Sequence, residues 1–239
     1  ERLAGLAQAG DLFIALAGER FDGHDFVGEV AKRQLAAVVI ERRRQPTVLP
    51  DCAVITVENT RRAFGQIAAR YRQDFSVPVI AVAGSNGKTS TKELVAAVLR
   101  QKLVTLWSEA SFNNDIGVPA TLLRLEKLHQ AAVLEVGTNH PGELAPLLRM
   151  IQPQWGVITN IGREHLEFFG DLAGVATEEG TLAEMLPTNG KLFLNGDNEW
   201  TDRIAGRTRA AVVRVGMREG NAWRVQKIRL EKEGMTFHV

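Results

Sequence analysis

Short apolar runs alternate with longer amphipathic stretches along most of the chain. Runs typical of strands lie at residues 11–16, 36–40, 53–57, 79–83, 103–107, 131–136, 155–159, 191–195 and 211–215. Segments long enough for helices separate most of them, and strands that alternate with helices favour a parallel sheet with helices on both faces. The pattern therefore predicts an α/β protein whose main part is a doubly wound, mostly parallel sheet.

A polar stretch ahead of Pro78 predicts a domain boundary near residue 76. We expect a small N-terminal α/β domain over residues 1–75 and a larger α/β domain over residues 76–239. The first contains a helix over residues 26–34 and a second helix from Thr60 onwards, whose apolar face is formed by Phe64, Ile67, Ala68 and Tyr71. In the larger domain, the helix after the fourth strand carries an apolar stripe of Leu94, Val95, Val98 and Leu99.

The two ends of the chain have the character of internal sequence. The chain opens at Glu1 without an initiator Met, and its last residues, 235–239, alternate like a strand. We therefore expect sequence to be missing on each side, so that both domains are truncated at their outer ends.

Composition and charge exclude several classes of function for this chain. Of 239 residues, 45% are hydrophobic and 24% charged, which is typical of a globular protein. Lys and Arg number 29 against 28 Asp and Glu, too small a basic excess for a nucleic-acid partner. The single cysteine, Cys52, cannot form an internal disulfide, and no apolar run approaches the ~20 residues that span a membrane. These features predict a cytoplasmic protein without membrane insertion.

A glycine-rich turn, Gly84-Ser85-Asn86-Gly87-Lys88-Thr89, lies between the fourth strand and the next helix. Its glycines can adopt positive φ, so that backbone N–H groups and the helix N-terminus face an anion. Lys88 can reach the β- and γ-phosphates of a nucleotide, and the Thr89 hydroxyl can bind Mg²⁺. The spacing is two residues shorter than the standard P-loop, because Val82 stands where that pattern has glycine. The turn alone thus predicts phosphate binding, with a plain strand-to-helix turn as the alternative.

Several segments in order along the chain resemble the Mur ligases, and within them the type that adds D-alanyl-D-alanine to UDP-N-acetylmuramoyl-tripeptide. The resembling segments are residues 10–16 with 21–26, 83–93, 113–119, 135–143 and 159–167. The run Asn139-His140-Pro141-Gly142-Glu143 is the most specific to that type. The resemblance implies a cytoplasmic, monomeric ligase that binds ATP and two Mg²⁺ ions, with a third domain that this chain does not contain.

The resemblance assigns roles to residues of the phosphate loop and of the strand ends. ATP binding falls to Gly84, Ser85, Asn86, Gly87, Lys88, Thr89, Ser90 and, less specifically, Asn195 with Asp197. Catalytic roles fall to Lys88, Glu135 and His165. Glu135 ends an apolar strand, where a buried carboxylate needs a cation, a salt bridge or a helix cap. A lone histidine such as His165 is by itself more often structural.

The implied magnesium ligands are Thr89, Glu135, His165 and Glu179. Most Mur ligases carry a carbamoylated lysine at the position of Glu179. We expect this carboxylate, or that of Glu178 if the register slips by one residue, to replace the modified side chain. The alternative is a pair of exposed acids on a helix surface.

The implied contacts to the UDP-linked substrate are Gly23, His24, Asn113, Asn114, Asn139, His140 and Asn160. Loop asparagines are also common turn formers, and Gly23 with His24 fits a plain turn equally well. The expected reaction is phosphoryl transfer from ATP to the tripeptide carboxylate, followed by attack of the dipeptide amine. Three alternatives remain from the sequence: another Mur-type or folylpolyglutamate-type amide ligase, a P-loop NTPase or kinase, and a nucleotide-binding module without catalysis.

Overall fold

A computed structural model describes residues 6–18, 21–46, 50–232 and 234–239. It falls into two compact units, one up to residue 67 and one from residue 68. The boundary expected near residue 76 lies beyond this division and stays a prediction. Residues 1–5, on which the expectation of a truncated start rests, lie outside the described residues.

The first unit holds a three-stranded parallel sheet in the order β1-β2-β3. Its strands are β1 (Leu12–Ile14), β2 (Ala37–Glu41) and β3 (Ala53–Val57), and its helices are α1 (Val27–Ala31), 3-10 helices at Gly23–Phe26 and Arg42–Arg44, and the start of α2 (Thr60–Arg72). The predicted helix over 26–34 is shorter than expected, since α1 ends at Ala31, and Gln34 then turns the chain with a positive φ of 58°. The core consists of Ala15, Val27, Val30, Leu35, Val38 and Ile40.

The second unit is built on a seven-stranded sheet in the order β10-β9-β8-β7-β4-β6-β5, parallel at every pairing. Its strands are β4 (Val79–Ala83), β5 (Thr105–Trp107), β6 (Ala131–Glu135), β7 (Trp155–Ile158), β8 (Lys191–Asn195), β9 (Ala211–Gly216) and β10 (Trp223–Arg224). Its helices are α3 (Lys88–Leu99), α4 (Gly117–Leu122), α5 (Leu144–Ile151), α6 (Leu166–Phe169), α7 (Leu172–Glu179), α8 (Thr181–Met185) and α9 (Thr201–Ala205).

Both faces of this sheet are covered, because successive strand residues point to opposite sides. On β4, residues 79, 81 and 83 pack into the large core, which also contains apolar residues of α4, α5, α7 and α8. Ile80 and Val82 face the other side and pack with Ala96 of α3. The predicted fold class, an α/β protein with a doubly wound parallel sheet, is confirmed.

The apolar stripe predicted for α3 is confirmed for Val95 and Leu99, which pack against the core on this side of the sheet, and is wrong for Leu94 and Val98. Leu94 and Val98 are each 69% exposed, whereas Ala96 and Lys92 are buried. The apolar residues of this helix spread over a wide arc, and only the part that faces the sheet is covered. Lys92 can occupy the buried side because its ammonium group finds carbonyl and carboxylate partners there.

The strand expected at the end of the chain is present as β12 (Gly234–His238), paired antiparallel with β11 (Gln226–Glu231). This hairpin is exposed along both strands. No helix in the described part of the chain has the length and apolar character needed to cross a bilayer.

Strand β4 lies between β6 and β7, so the chain leaves it toward β5 on one side and later returns on the other. Parallel sheets bind ligands at such a reversal, outside the carboxyl ends of the strands. The loops after β4, β6 and β7 therefore meet at one edge, and the predicted nucleotide residues lie on them.

Candidate nucleotide and substrate site

The phosphate loop has the backbone conformation that its glycines predict. Gly84 has a φ of +109° and Gly87, the N-cap of α3, has a φ of +80°. A Cβ at Gly84 would lie 2.5 Å from Thr159 Oγ1, so only glycine fits against the loop after β7. The first turn of α3 carries the exposed Thr89 and Ser90.

Bonds to the segment after β7 hold this loop in shape. The Ser85 N–H donates to the Asn160 carbonyl at 3.0 Å, and the Asn86 N–H donates to Asn160 Oδ1 at 3.0 Å. Thr159 Oγ1 donates to the Asn86 carbonyl at 2.7 Å, and Ser85 Oγ accepts from the Gly162 N–H at 2.9 Å. These hydrogen bonds fix the shape of the loop, and the substrate contact predicted for Asn160 stays a prediction.

Lys88 folds back over its own loop. Its Nζ donates to the Gly84 carbonyl at 2.6 Å and to the Ser85 carbonyl at 3.3 Å, and lies 3.6 Å from Glu164 Oε2. The two carbonyls are neutral partners, and the largely buried Glu164 carboxylate lies beyond hydrogen-bond distance. The ammonium group is therefore held at the loop in a place from which it can turn to a phosphate.

Glu179 lies beneath the phosphate loop, where its Oε2 accepts the Gly84 N–H at 2.6 Å. It is 1% exposed and Glu178 is 8% exposed, so the alternative of two surface acids is wrong. Burial raises the pKa of Glu179 to about 8; the positive charge of Lys88 acts against this shift and the nearby Glu164 carboxylate adds to it. One oxygen of Glu179 and one of Glu164 are buried without a hydrogen-bond partner.

Glu164 was not predicted. Its only sequence signal is its place beside His165 in a segment that resembles the family. The structure brings it to Lys88 and Glu179, so two carboxyl groups and one ammonium group share this pocket.

We expect the stability of the metal-free chain, measured relative to Glu179→Gln, to fall as the pH rises from about 5 to about 8. Between the ordinary pKa of 4.5 and the raised pKa of about 8, the folded carboxyl group keeps a proton that the unfolded one has released. Raising the pH therefore favours unfolding, and a glutamine does not titrate. Denaturant unfolding in a chelator at several pH values measures this difference; a flat difference would show that Glu179 is ionised in the folded chain.

Glu135 ends β6 and is 1% exposed. Asn113 Nδ2 donates to its Oε1 at 2.9 Å, while its Oε2 is buried without a partner. Its N–H donates to Ser108 Oγ at 3.1 Å. The fully buried Lys92, which the sequence did not single out, donates to the carbonyls of Ser108 and Ala110 at 2.7 and 2.8 Å. Lys92 therefore holds residues 108–110 in place, and Ser108 of this segment binds the backbone of Glu135.

The Asn139–Glu143 segment (residues 139–143) forms an exposed loop that its own glutamate closes. Glu143 Oε2 accepts the N–H groups of Asn139 and His140 at 2.8 and 3.0 Å. Burial acts to raise the pKa of Glu143, but these bonds and the His140 ring outweigh it and lower the pKa. The His140 ring packs on Phe168 with centroids 4.1 Å apart. The exposed Asn139 and His140 side chains stay predicted substrate contacts.

His165 is 40% exposed at its side chain and starts α6 with a φ of 44°. Among the described residues, no three His, Cys, Asp or Glu side chains are grouped closely enough to hold a metal ion by themselves. The predicted magnesium ligands Thr89, Glu135, His165 and Glu179 thus do not form a preformed cage.

Other predicted residues have structural partners. Asn114 Oδ1 accepts the N–H groups of Ile116 and Gly117 and so starts α4, as turn-forming asparagines do. Asn195 Oδ1 accepts the Asp197 N–H at 3.0 Å. Asp197 accepts the N–H groups of Met217 and Arg218, which lower its pKa. The nucleotide contact of Asn195 stays a prediction.

In the first unit, Gly23 and His24 lie at a close turn. A Cβ at Gly23 would lie 2.7 Å from the Leu16 N atom. His24 Nδ1 lies 2.6 Å from Asp22 Oδ1, and His24 Nε2 accepts the Glu41 N–H at 2.9 Å. Both ring nitrogens are therefore used within the unit, and the contact of Gly23 and His24 with a uridine nucleotide stays a prediction.

Comparison with known proteins gives consistent matches. Residues 82–239 match the Mur ligase middle domain, and residues 6–72 match the Mur ligase family catalytic domain. The UDP-N-acetylmuramoyl-tripeptide--D-alanyl-D-alanine ligase of Escherichia coli (strain K12) is 44% identical over 192 residues, which are 80% of this chain and 42% of that protein.

Solved structures agree with the sequence matches. The crystal structure of MurF from Acinetobacter baumannii has a TM-score of 0.87 at 32% identity, over 98% of this chain and 53% of that one. The crystal structure of MurF ligase from Thermotoga maritima in complex with ADP has a TM-score of 0.87 at 27% identity, over the same shares. The chain thus spans about half the length of the relatives it matches.

Proposed function

This chain belongs to the Mur ligase family, and we propose on that premise that it is the nucleotide- and UDP-substrate-binding part of an ATP-dependent amide ligase. The proposed ligase joins D-alanyl-D-alanine to UDP-N-acetylmuramoyl-tripeptide in the synthesis of peptidoglycan precursors. The observation that carries this proposal is the 44% identity over 192 residues to a ligase of that name. The glycine-constrained phosphate loop at the carboxyl edge of the sheet supports the ATP-binding part.

The proposed reaction needs positioning and charge more than a protein nucleophile. The phosphate loop holds the triphosphate through backbone N–H groups, and Lys88 offsets negative charge on the transferred phosphoryl group. The γ-phosphoryl group passes to the tripeptide carboxylate, and the products, an acyl phosphate and ADP, stay bound until the amine has reacted. The dipeptide amine then attacks this acyl phosphate, forms the amide bond and displaces phosphate.

The residues of this chain fit magnesium at the nucleotide. Glu135 Oε2 is a buried carboxylate oxygen without a partner, which is costly unless a cation meets it. Thr89, Glu135 and His165 would hold magnesium together with the phosphates, since Mg²⁺ in such sites takes few protein ligands and keeps phosphate oxygens and waters. When bound, magnesium would offset the negative charge of the nucleotide phosphates during the transfer.

Glu179 takes the place of the carbamoylated lysine in this proposal. Its Oε1 is buried without a hydrogen-bond partner, as is Oε1 of Glu164, whose carboxyl group is near enough to raise the pKa of Glu179. With both carboxyl groups ionised, two negative charges would stand against the one ammonium group of Lys88, and a further cation would offset the excess. Glu178 does not fit this role, because both its oxygens are occupied by the N–H groups of Gly142 and Leu144.

The full-length protein should release ADP from ATP and UDP-N-acetylmuramoyl-tripeptide only when D-alanyl-D-alanine is also supplied. A coupled ADP assay with each substrate omitted in turn measures this. ADP release without any amine would support a P-loop NTPase or kinase instead. ADP release with folate as the carboxylate substrate and glutamate as the amine would support the folylpolyglutamate type.

Glu179→Gln should shift the magnesium titration of ADP release to higher concentration by about tenfold and lower turnover. The substitution keeps an acceptor for the Gly84 N–H, so the phosphate loop keeps this hydrogen bond, and it removes the carboxyl group's ability to ionise and bind a cation. Glu126→Gln, at an exposed position in the turn before β6, is the matched control. An unchanged magnesium titration would remove Glu179 from the metal site.

A further inference from the structure

Glu178 and Glu179 are the last two residues of α7 and are both buried. Consecutive residues on a helix point about 100° apart, so the two side chains meet different neighbours. Glu179 accepts the Gly84 N–H of the phosphate loop at 2.6 Å. Glu178 accepts the Gly142 N–H at 2.8 Å and the Leu144 N–H at 2.9 Å. One helix end therefore binds both the phosphate loop and the Asn139–Glu143 segment.

We propose that Glu178 is a positioning residue for the UDP-tripeptide substrate, because it fixes the Asn139–Glu143 segment at a set distance from the phosphate loop. The inference rests on the proposed function, in which Asn139 and His140 contact that substrate. Glu178 has no part in the chemistry. It sets where the acceptor carboxylate meets the phosphoryl group.

The bonds of Glu178 are the kind that fix a loop. Both of its oxygens accept backbone N–H groups, and one of these belongs to Leu144, the first residue of α5. A carboxylate at a helix N-terminus is favoured by the helix dipole and by charge-assisted hydrogen bonds. The bonds of Glu143 run within the segment, so they shape it without fastening it. Glu178 and the packing of His140 on Phe168 join it to other elements.

The C-terminal end of α7 is itself held in place by Arg207. Arg207 Nη1 donates to the carbonyls of Ala176 and Thr177 at 3.0 and 2.8 Å, and Arg207 Nε donates to Glu184 at 2.8 Å. A helix end held in this way gives Glu178 and Glu179 one fixed relative position. A change at Glu178 should therefore alter the substrate segment and leave the phosphate loop in place.

The test compares Glu178→Gln with Glu179→Gln in the full-length protein. A glutamine at 178 keeps one acceptor and turns an NH₂ group toward the other backbone N–H, which loses its partner. We expect the KM for UDP-N-acetylmuramoyl-tripeptide to rise about tenfold and the KM for ATP to stay within about twofold. Glu179→Gln should instead raise the KM for ATP and the magnesium concentration that ADP release requires, and leave the KM for UDP-N-acetylmuramoyl-tripeptide within about twofold. Glu126→Gln, away from both segments, should change neither KM.

A second measurement keeps the inference separate from the proposed reaction. In Glu178→Gln, hydrogen exchange should quicken at the Gly142 and Leu144 amides and stay unchanged at Gly84 and Ser85. Unchanged exchange at Gly142 and Leu144 overturns the inference, as does an equal rise in both KM values with a lower melting temperature. If wild type shows no dipeptide-dependent ADP release, the proposed function fails. Faster exchange at Gly142 and Leu144 alone would then still show that Glu178 holds the Asn139–Glu143 segment in place, and the segment would bind a different substrate.

Discussion

Lys88→Met in the full-length protein should lower kcat/KM for ATP by about 10³-fold, within the range found when one charged group is removed from a phosphoryl-transfer site. The ammonium group lies at the phosphate loop, bonded to the carbonyls of Gly84 and Ser85. The carbonyl partners are neutral and the ion pair with Glu164 is long, at 3.6 Å, so phosphate oxygens can replace these contacts. Methionine keeps most of the aliphatic length and removes the charge. ADP release at varied ATP concentration measures the loss.

The fold of Lys88→Met should survive, because the loop is held by bonds that do not involve the lysine side chain. The Ser85 and Asn86 N–H groups keep their bonds to Asn160. Lys102→Met, at an exposed position past the other end of α3, is the matched control and should leave kcat/KM unchanged. Retention of more than about a tenth of the activity in Lys88→Met would contradict the assignment of Lys88 to the transferred phosphate.

The order of strands and helices could be predicted from the sequence because it depends on local periodicity. The run at residues 79–83 is apolar at every position, and the structure buries each of them on one face or the other. The phosphate loop could be predicted for the same reason, since its glycines and Lys88 act within a few residues of one another. The buried face of α3 could not be predicted from the sequence. Its apolar residues cover more than one face, and only the docked sheet decides that Lys92 is inside and Leu94 outside.

The partners within the site could be predicted only in part, because they join residues far apart along the chain. Gly84 and Glu179 are separated by 95 positions, and no periodicity connects them. The resemblance pointed to Glu179, but nothing in the sequence separated it from Glu178. The structure separates them, since one meets the phosphate loop and the other meets α5. Lys92 was missed because a lysine beside Glu93 on a helix is typical of an exposed pair.

Glu135→Gln should lower kcat of the full-length protein by about 10² to 10³-fold and leave the fold as stable as wild type or more so. The glutamine is nearly isosteric, so its oxygen can still accept from Asn113, and the backbone bond to Ser108 is unchanged. The change removes the negative charge of a carboxylate whose Oε2 is buried without a hydrogen-bond partner. An unpaired buried carboxylate is destabilising, so its loss should raise the free energy of unfolding.

Opposite effects on activity and stability distinguish a metal ligand at Glu135 from a structural carboxylate. If the Glu135 carboxylate stabilises the fold, its neutralisation should lower both activity and stability. If it binds a cation, its neutralisation should lower activity alone. ADP release over a magnesium titration and denaturant unfolding of the same preparation measure the two quantities, with Glu126→Gln as the control. Activity within about twofold of wild type would exclude Glu135 from the metal site. A lower unfolding free energy would instead place the unpartnered oxygen in an interaction within the fold.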